Sequence, residues 1–144
     1  MNRRWNWEKI LFGIYSLIML WLLYGQRMVR DAYTDTNFVP FKTINNYITV
    51  LLRTSDPAML RHIVINLFGN IAMFVPLGYF LPAIWRKFRS FICHVSASVL
   101  IIVMIEHLQF VSRLGSMDID DLLLNILGTT IGYMLWRLIG KKRR

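Results

Sequence analysis

Four long apolar stretches constrain the fold of this chain more than any other feature of its sequence. They cover about residues 9–25, 63–85, 91–111 and 122–139. An α-helix needs about 20 apolar residues to cross the roughly 30 Å hydrocarbon core of a bilayer. Hydrophobic residues make up 56% of the chain, above the roughly 45–50% of soluble domains. The sequence therefore predicts an all-α, integral membrane four-helix bundle, formed by a single domain over residues 1–144.

Basic residues gather on one side of this predicted bundle. The termini and the link between the second and third stretches (1–9, 86–89 and 137–144) hold eleven Lys or Arg residues and one acid. The other segments, 26–62 and 106–121, hold six basic and seven acidic residues. Because cytoplasmic loops are rich in Lys and Arg, we expect a multi-pass protein of the cell membrane with both termini in the cytoplasm. The net charge of +9 then favours membrane lipids as partners, and nucleic acid is not expected to bind.

The outer segment 26–62 between the first and second predicted helices has a helical pattern of its own. Its apolar stripe at helical spacing comprises Phe41, Ile44, Ile48 and Leu51. Two alternatives follow, an interfacial helix whose apolar stripe lies in the headgroup layer and an outer-face loop that packs over the bundle.

Local signals also mark helix starts and helix contacts. Asp56 followed by Pro57 is typical of an N-cap and a first helical position, which predicts that the second helix begins outside the bilayer. Pro76 lies within that helix and is expected to kink it or to release a carbonyl group. Gly128 and Gly132 form a G-x-x-x-G motif, which predicts close packing of the fourth helix within the bundle.

Polar side chains cluster at the predicted outer ends of three helices. They are Asn66 and Asn70 on the second helix, Glu106, Gln109 and Arg113 on the third, and Asp118, Asp120, Asp121 and Asn125 at and after the start of the fourth. Most members of each set recur three or four residues apart and therefore share a helical face. Because all three sets lie at one membrane depth, we expect them to meet in an outward-facing polar cavity.

Glu106 is the most informative of these residues, since it lies roughly 8 Å inside the predicted end of its helix. An ionisable side chain within a membrane span is costly and usually functional. The structural alternative is that Glu106 pairs with Arg113 or an asparagine and only fixes the order of the helices. We name Glu106, Asp118 and Asp121 as catalytic candidates. The ligand-binding candidates are Asn66, Asn70, Glu106, Gln109, Arg113, Asp120, Asp121 and Asn125.

The acidic turn before the fourth helix has more than one chemical interpretation. Asp118 can cap the helix, and Asp120 and Asp121 can be a solvated turn. Together with Glu106 these carboxylates have the oxygen ligands that a divalent cation prefers. The sequence contains no G-x-S-x-G, H-E-x-x-H, Walker or C-x-x-C motif, so no metal site or cofactor is assigned.

Four sequence blocks occur in a recognisable order. They are NFVPFKTI at 37–44, NLFGNIAMFVPLGYFLP at 66–82, IEHLQF at 105–110 and DIDDLLLNILGTTIGY at 118–133. Together with Arg113 they resemble the VanZ-like family of bacterial membrane proteins. The resemblance implies a place in the bacterial cell envelope, because the family's namesake is associated with resistance to the glycopeptide antibiotic teicoplanin. It implies a biological process rather than a reaction.

Two functional hypotheses follow from the residues and the resemblance. In the first, the outer cavity binds teicoplanin or a lipid-linked peptidoglycan precursor and so reduces access of the drug. In the second, a membrane enzyme uses Glu106 and Asp118, Asp120 or Asp121, with or without a divalent metal, to modify a lipid-linked or surface substrate. Binding is favoured because no complete catalytic set is visible.

Overall fold

The computed structural model describes residues 3–25, 36–112 and 117–140. Within these ranges it contains five α-helices and no β-strand, which confirms the all-α prediction. The helices are α1 (Arg3–Leu20), α2 (Lys42–Arg53), α3 (Pro57–Ile84), α4 (Phe91–Val111) and α5 (Ile119–Leu135). π-Helical turns extend α1 over Trp21–Gly25 and α5 over Trp136–Gly140, and a 3-10 turn, Arg86–Arg89, links α3 to α4.

Four of these helices, α1, α3, α4 and α5, are long and apolar enough to cross a membrane. The bounds of α4 are those predicted from the sequence. α3 and α5 begin directly after the predicted caps Asp56 and Asp118, before their apolar stretches. α1 begins at Arg3, ahead of its apolar stretch. The structure thus has the helices of a membrane bundle, and the cytoplasmic location of both termini stays a prediction.

Side-chain caps define the starts of α3 and α5. The Asp56 carboxylate accepts a hydrogen bond from the backbone amide of Ala58 (3.0 Å), and a proline occupies the first helical position. The Asp118 carboxylate accepts one from the amide of Asp120 (2.9 Å). Both caps were predicted, since capping depends on residues next to one another in the sequence. α3 continues through Pro76 without ending.

Of the two alternatives for the outer segment, the structure has the helix. This helix, α2, lies between α1 and α3 in the chain. α2 contacts α3 and α5, and none of its residues is fully buried. Of its predicted apolar stripe, Ile44 and Leu51 are half-buried, whereas Phe41 and Ile48 are exposed. One face of α2 therefore packs on the bundle, while apolar side chains remain on the other face.

Glycines bring α3 and α5 into backbone contact. A Cβ atom added at Gly128 would collide with the backbone of Ile71, and one at Gly132 with the backbone of Val75. Gly78 of α3 faces the backbone of α5 in the same way. The G-x-x-x-G motif therefore packs within the bundle, as the sequence predicts, and α5 is held between α3 and α4.

Contacts between the helices show which segments share an end of the bundle. The rings of Phe12 and Trp85 lie 5.6 Å apart, and the Tyr133 hydroxyl donates a hydrogen bond to the Arg89 carbonyl (2.7 Å). The early part of α1, the α3–α4 link and the late part of α5 therefore lie together. We call this the basic end, because it carries Arg86, Lys87, Arg89 and Arg137. The opposite end carries α2 and the start of α5, and we call it the acidic end.

We expect the substitution Gly128→Ala to destabilise the protein by about 1–3 kcal/mol, because the added methyl group collides with main chain that cannot rotate away. The matched control is Gly13→Ala in α1, where an added Cβ has nothing within 4 Å. Since alanine favours helix by about 1 kcal/mol over glycine, the control should unfold at the same temperature or higher. Thermal unfolding of both variants in detergent is the measurement, and equal melting temperatures would contradict the packing described.

Candidate functional site

The buried carboxylate of Asp120 holds the start of α2. It accepts hydrogen bonds from three backbone amides, those of Phe41 (2.5 Å), Thr43 (2.8 Å) and Ile44 (3.1 Å). The first amides of a helix have no partner within the helix, and the helix dipole favours negative charge there. Asp120 therefore acts as an N-terminal cap for α2 although it belongs to α5, 76 to 79 residues later in the chain.

Asp118 binds the same segment from beside Asp120. Its carboxylate accepts hydrogen bonds from the Asn37 side-chain amide (3.0 Å) and from the Thr43 hydroxyl (2.6 Å). An isolated parallel β-bridge adds two backbone bonds, from the Asn37 amide to the Met117 carbonyl (2.9 Å) and from the Ile119 amide to the Asn37 carbonyl (3.0 Å). We call Asp118 and Asp120, with the residues 37–44 that they hold, the α2 anchor.

Phe41 within the α2 anchor has a backbone conformation that is unusual for its side chain. Its φ angle is 64°, in the left-handed region, and its ring is exposed. A non-glycine residue in this region costs about 1–3 kcal/mol and persists only where its surroundings fix it. The bond from the Phe41 amide to Asp120 is such a constraint. The α2 anchor therefore fixes the chain at the point where it turns into α2.

The inner face of α2 lies next to the acidic turn. Burial raises the pKa of the Tyr47 phenol above its usual value, and the negative charges of Asp121 and Asp118 raise it further. Ile48 and Leu52 stay exposed on the other side of the helix. α2 therefore covers the carboxylates and leaves an apolar face outward, as expected of a helix at a membrane surface.

Near the acidic end, polar side chains join α5 to both α3 and α4. The Asn70 side-chain amide donates to the Asp121 carboxylate at 2.6 Å, and the Asn125 amide donates to the Glu106 carboxylate at 3.1 Å. Glu106 and Asn125 are both buried. The Glu106–Asn125 bond is the contact expected under the structural alternative, in which Glu106 fixes the order of the helices.

The remaining predicted site residues lie at the edge of this arrangement or apart from it. Gln109 is buried, and its amide donates to the Leu23 carbonyl (3.3 Å) at the end of the α1 segment. Asn66 contacts His62 one turn earlier on the same helix (3.3 Å), and among the described residues it has no hydrogen bond to another helix. Arg113 lies outside the described residues. The polar candidates on α4 and α5 therefore come together, while Asn66 remains separate.

Glu106 and Asp118 line one small pocket between α4 and the start of α5. Its volume is about 150 Å³. The other lining residues are Phe38, Val103, Met117, Ile119 and Leu122. The pocket is therefore apolar except for two carboxylate side chains, and it lies directly beside the α2 anchor. Asp120 and Asp121 do not line it.

The surface of the pocket is almost entirely apolar, although two acidic residues line it. The Glu106 carboxylate accepts a hydrogen bond from Asn125, and the Asp118 carboxylate accepts hydrogen bonds from Asn37 and Thr43. The Oδ1 atom of Asn125 is buried with no hydrogen-bond partner among the described residues. Asn125 does not line the pocket, so the acceptor groups nearest to a ligand are the carboxylates of Glu106 and Asp118, which suit a group that donates N–H or O–H hydrogen bonds. Within the described ranges, no group of three or more His, Cys, Asp and Glu residues is placed to hold a metal ion.

Several residues of this site were not among the sequence-based candidates. Asn37 and Thr43 bind Asp118, and Phe38 and Met117 form pocket walls. Asn37, Phe38 and Thr43 lie in the first block that resembles the VanZ-like family, which was the only signal for them in the sequence. Helical spacing cannot detect them, because their partners are 75 or more residues away.

A comparison with protein families identifies the family of the chain. The model of the VanZ/LLP1 family matches residues 11–140. The chain belongs to the VanZ-like family. The match includes most of α1, all of the other helices and both carboxylates of the pocket. No curated protein and no solved structure matched the VanZ-like chain.

Proposed function

We propose that this VanZ-like protein binds an amphiphilic molecule of the bacterial cell envelope in the pocket between α4 and α5. The candidate ligands are teicoplanin and a lipid-linked peptidoglycan precursor, in keeping with the teicoplanin resistance associated with the family's namesake. The observation that carries the proposal is that two acidic residues, Glu106 and Asp118, line one pocket whose other walls are apolar. By binding either molecule in this pocket, the protein would reduce the access of the drug to its target.

The chemistry of the pocket fits both ligand classes. Each combines a lipid chain, which remains in the bilayer, with sugar hydroxyls and peptide N–H groups near the membrane surface. Hydrogen bonds from such donors to carboxylates are charge-assisted and about twice as strong as neutral ones. In the predicted topology the acidic end faces outward, where these ligands occur.

The size of the pocket limits what enters it. Sites for drug-sized ligands have volumes of about 300–1,000 Å³, whereas this pocket has about 150 Å³. It therefore takes one substituent of the ligand, and the rest lies over the surface beside it. Phe38 lines the pocket, and both Phe38 and Phe41 are exposed nearby, so apolar contact is available for that remainder.

We expect Glu106→Gln to weaken binding of teicoplanin or of the lipid-linked precursor by about ten- to 100-fold, because a hydrogen bond to a charged group contributes about 1.5–3 kcal/mol. The measurement is titration of each ligand into purified protein in nanodiscs. The control is Asp56→Asn, which removes the same charge at the acidic end, retains a capping residue and lies outside the pocket.

Thermal unfolding of each variant separates loss of binding from loss of structure, since Glu106 also bonds to Asn125. Binding reduced in Glu106→Gln at unchanged stability supports the proposal. No binding to the wild-type protein, or equal binding by both variants, contradicts it.

A membrane enzyme is the second candidate, because the same pocket contains two carboxylates. One protonated and one ionised carboxyl group can act as general acid and general base. Glu106 and Asp118 are the candidates for these two roles, because Asp121 is outside the pocket and bonded to Asn70.

The enzymatic hypothesis predicts a new mass for a lipid-linked precursor in cells that express the protein. Asp118→Asn should abolish the new mass, because asparagine keeps the helix cap but cannot transfer a proton in the same way. Mass spectrometry of extracted precursors is the measurement, with Asp56→Asn at matched expression as the control. Identical precursor masses with and without the protein would exclude this activity on those molecules.

A further inference from the structure

A second, larger cavity lies apart from the Glu106–Asp118 pocket, between α1 and α4 over the surface of α3. It is an open groove with a volume of about 420 Å³. Ser16 lies on its α1 side, Leu81 on α3 and Ile101 on α4. Trp85 and Phe88 close it where the chain turns from α3 to α4, so one end of the groove lies at the basic end of the bundle.

The lining of this groove offers hydrocarbon rather than polar groups. The Ser16 hydroxyl donates to the Phe12 carbonyl (2.8 Å) on its own helix. The Tyr15 hydroxyl donates to the Met73 carbonyl (2.8 Å) on α3. Because these polar atoms already have protein partners, the groove suits an acyl chain better than a hydrogen-bonding ligand.

Two exposed basic residues lie in the turn that closes the basic end of the groove. Arg86 and Lys87 lie between Trp85 and Phe88 in the sequence, and both are exposed. Arg89 is placed differently, since its Nε donates to a carbonyl of α3 (3.4 Å) and its guanidinium lies over the ring of Trp136 at 5.9 Å. Of the three basic residues in the α3–α4 link, Arg86 and Lys87 are therefore the exposed ones.

We propose that this groove holds one acyl chain of an anionic phospholipid, whose phosphate is bound by Arg86 and Lys87. Basic residues at the end of a cleft between membrane helices are suited to anionic headgroups, and each contributes about 1 kcal/mol near the membrane surface. Trp85, which lies beside the two cations, has the amphipathic ring that prefers this depth. The site is separate from the Glu106–Asp118 pocket, so it does not depend on the proposed function.

The test compares phosphatidylglycerol with phosphatidylcholine of the same acyl chains, bound to the full-length protein in detergent and counted by native mass spectrometry. We expect the wild-type protein to prefer phosphatidylglycerol. In the double variant Arg86→Gln/Lys87→Gln, each substitution should reduce that preference about five-fold. The control is Lys42→Gln/Arg53→Gln, which removes two exposed cations from α2 at the acidic end and should keep the preference.

A second pair of variants tests the groove itself. Ser16→Phe places a ring in the groove and should reduce retention of both lipids without changing the charge. Ile14→Phe, on an exposed part of α1 outside the groove, should not. Equal binding of the two lipids by the wild-type protein would overturn the proposal. A preference that survives in Arg86→Gln/Lys87→Gln would also overturn it, as would lipid retention that Ser16→Phe leaves unchanged. Binding of a second copy of the chain in place of lipid would overturn it too.

Discussion

The hydrogen bonds from the start of α2 to the Asp120 carboxylate are the interaction on which the acidic end depends. They close a long loop in the chain and satisfy amides that would otherwise have no partner. They also hold Phe41 in its left-handed conformation. The neighbouring Asp118 bonds bring Phe38 and Met117 together beside Glu106. Without the α2 anchor, the pocket would lose one of its walls and α2 its attachment to α5.

α5 holds the segments around it in place, because it provides a polar partner for each of them. Asp118 and Asp120 hold the residues before and at the start of α2, Asp121 bonds to α3, and Asn125 bonds to α4. Deeper in the bundle, the contact of α5 with α3 is steric, since Gly128 lets α5 touch the backbone of α3. Polar contacts at one end and close glycine packing further along therefore fix α5 in both position and register.

The sequence predicted those features that depend on neighbouring residues. Apolar length predicted the four long helices, and adjacent residues predicted the caps at Asp56 and Asp118. It could not assign Asp120 to the start of α2, because that contact joins residues that are 76 to 79 positions apart. For the same reason the acidic turn looked like one cluster, whereas Asp118 and Asp120 bind the start of α2 and Asp121 binds α3. Whether Glu106 and its neighbours bind a ligand stays a prediction.

Hydrogen exchange at the start of α2 tests the α2 anchor most directly. In Asp120→Asn, the charge and one acceptor oxygen are lost, and a hydrogen bond to a charged group contributes about 1.5–3 kcal/mol. We expect the amides of Phe41, Thr43 and Ile44 to exchange about ten- to 150-fold faster, while amides in the middle of α5 are unchanged. Asp56→Asn, at the cap of α3, should leave all three amides unchanged. Unaltered exchange at these amides in Asp120→Asn would contradict the account.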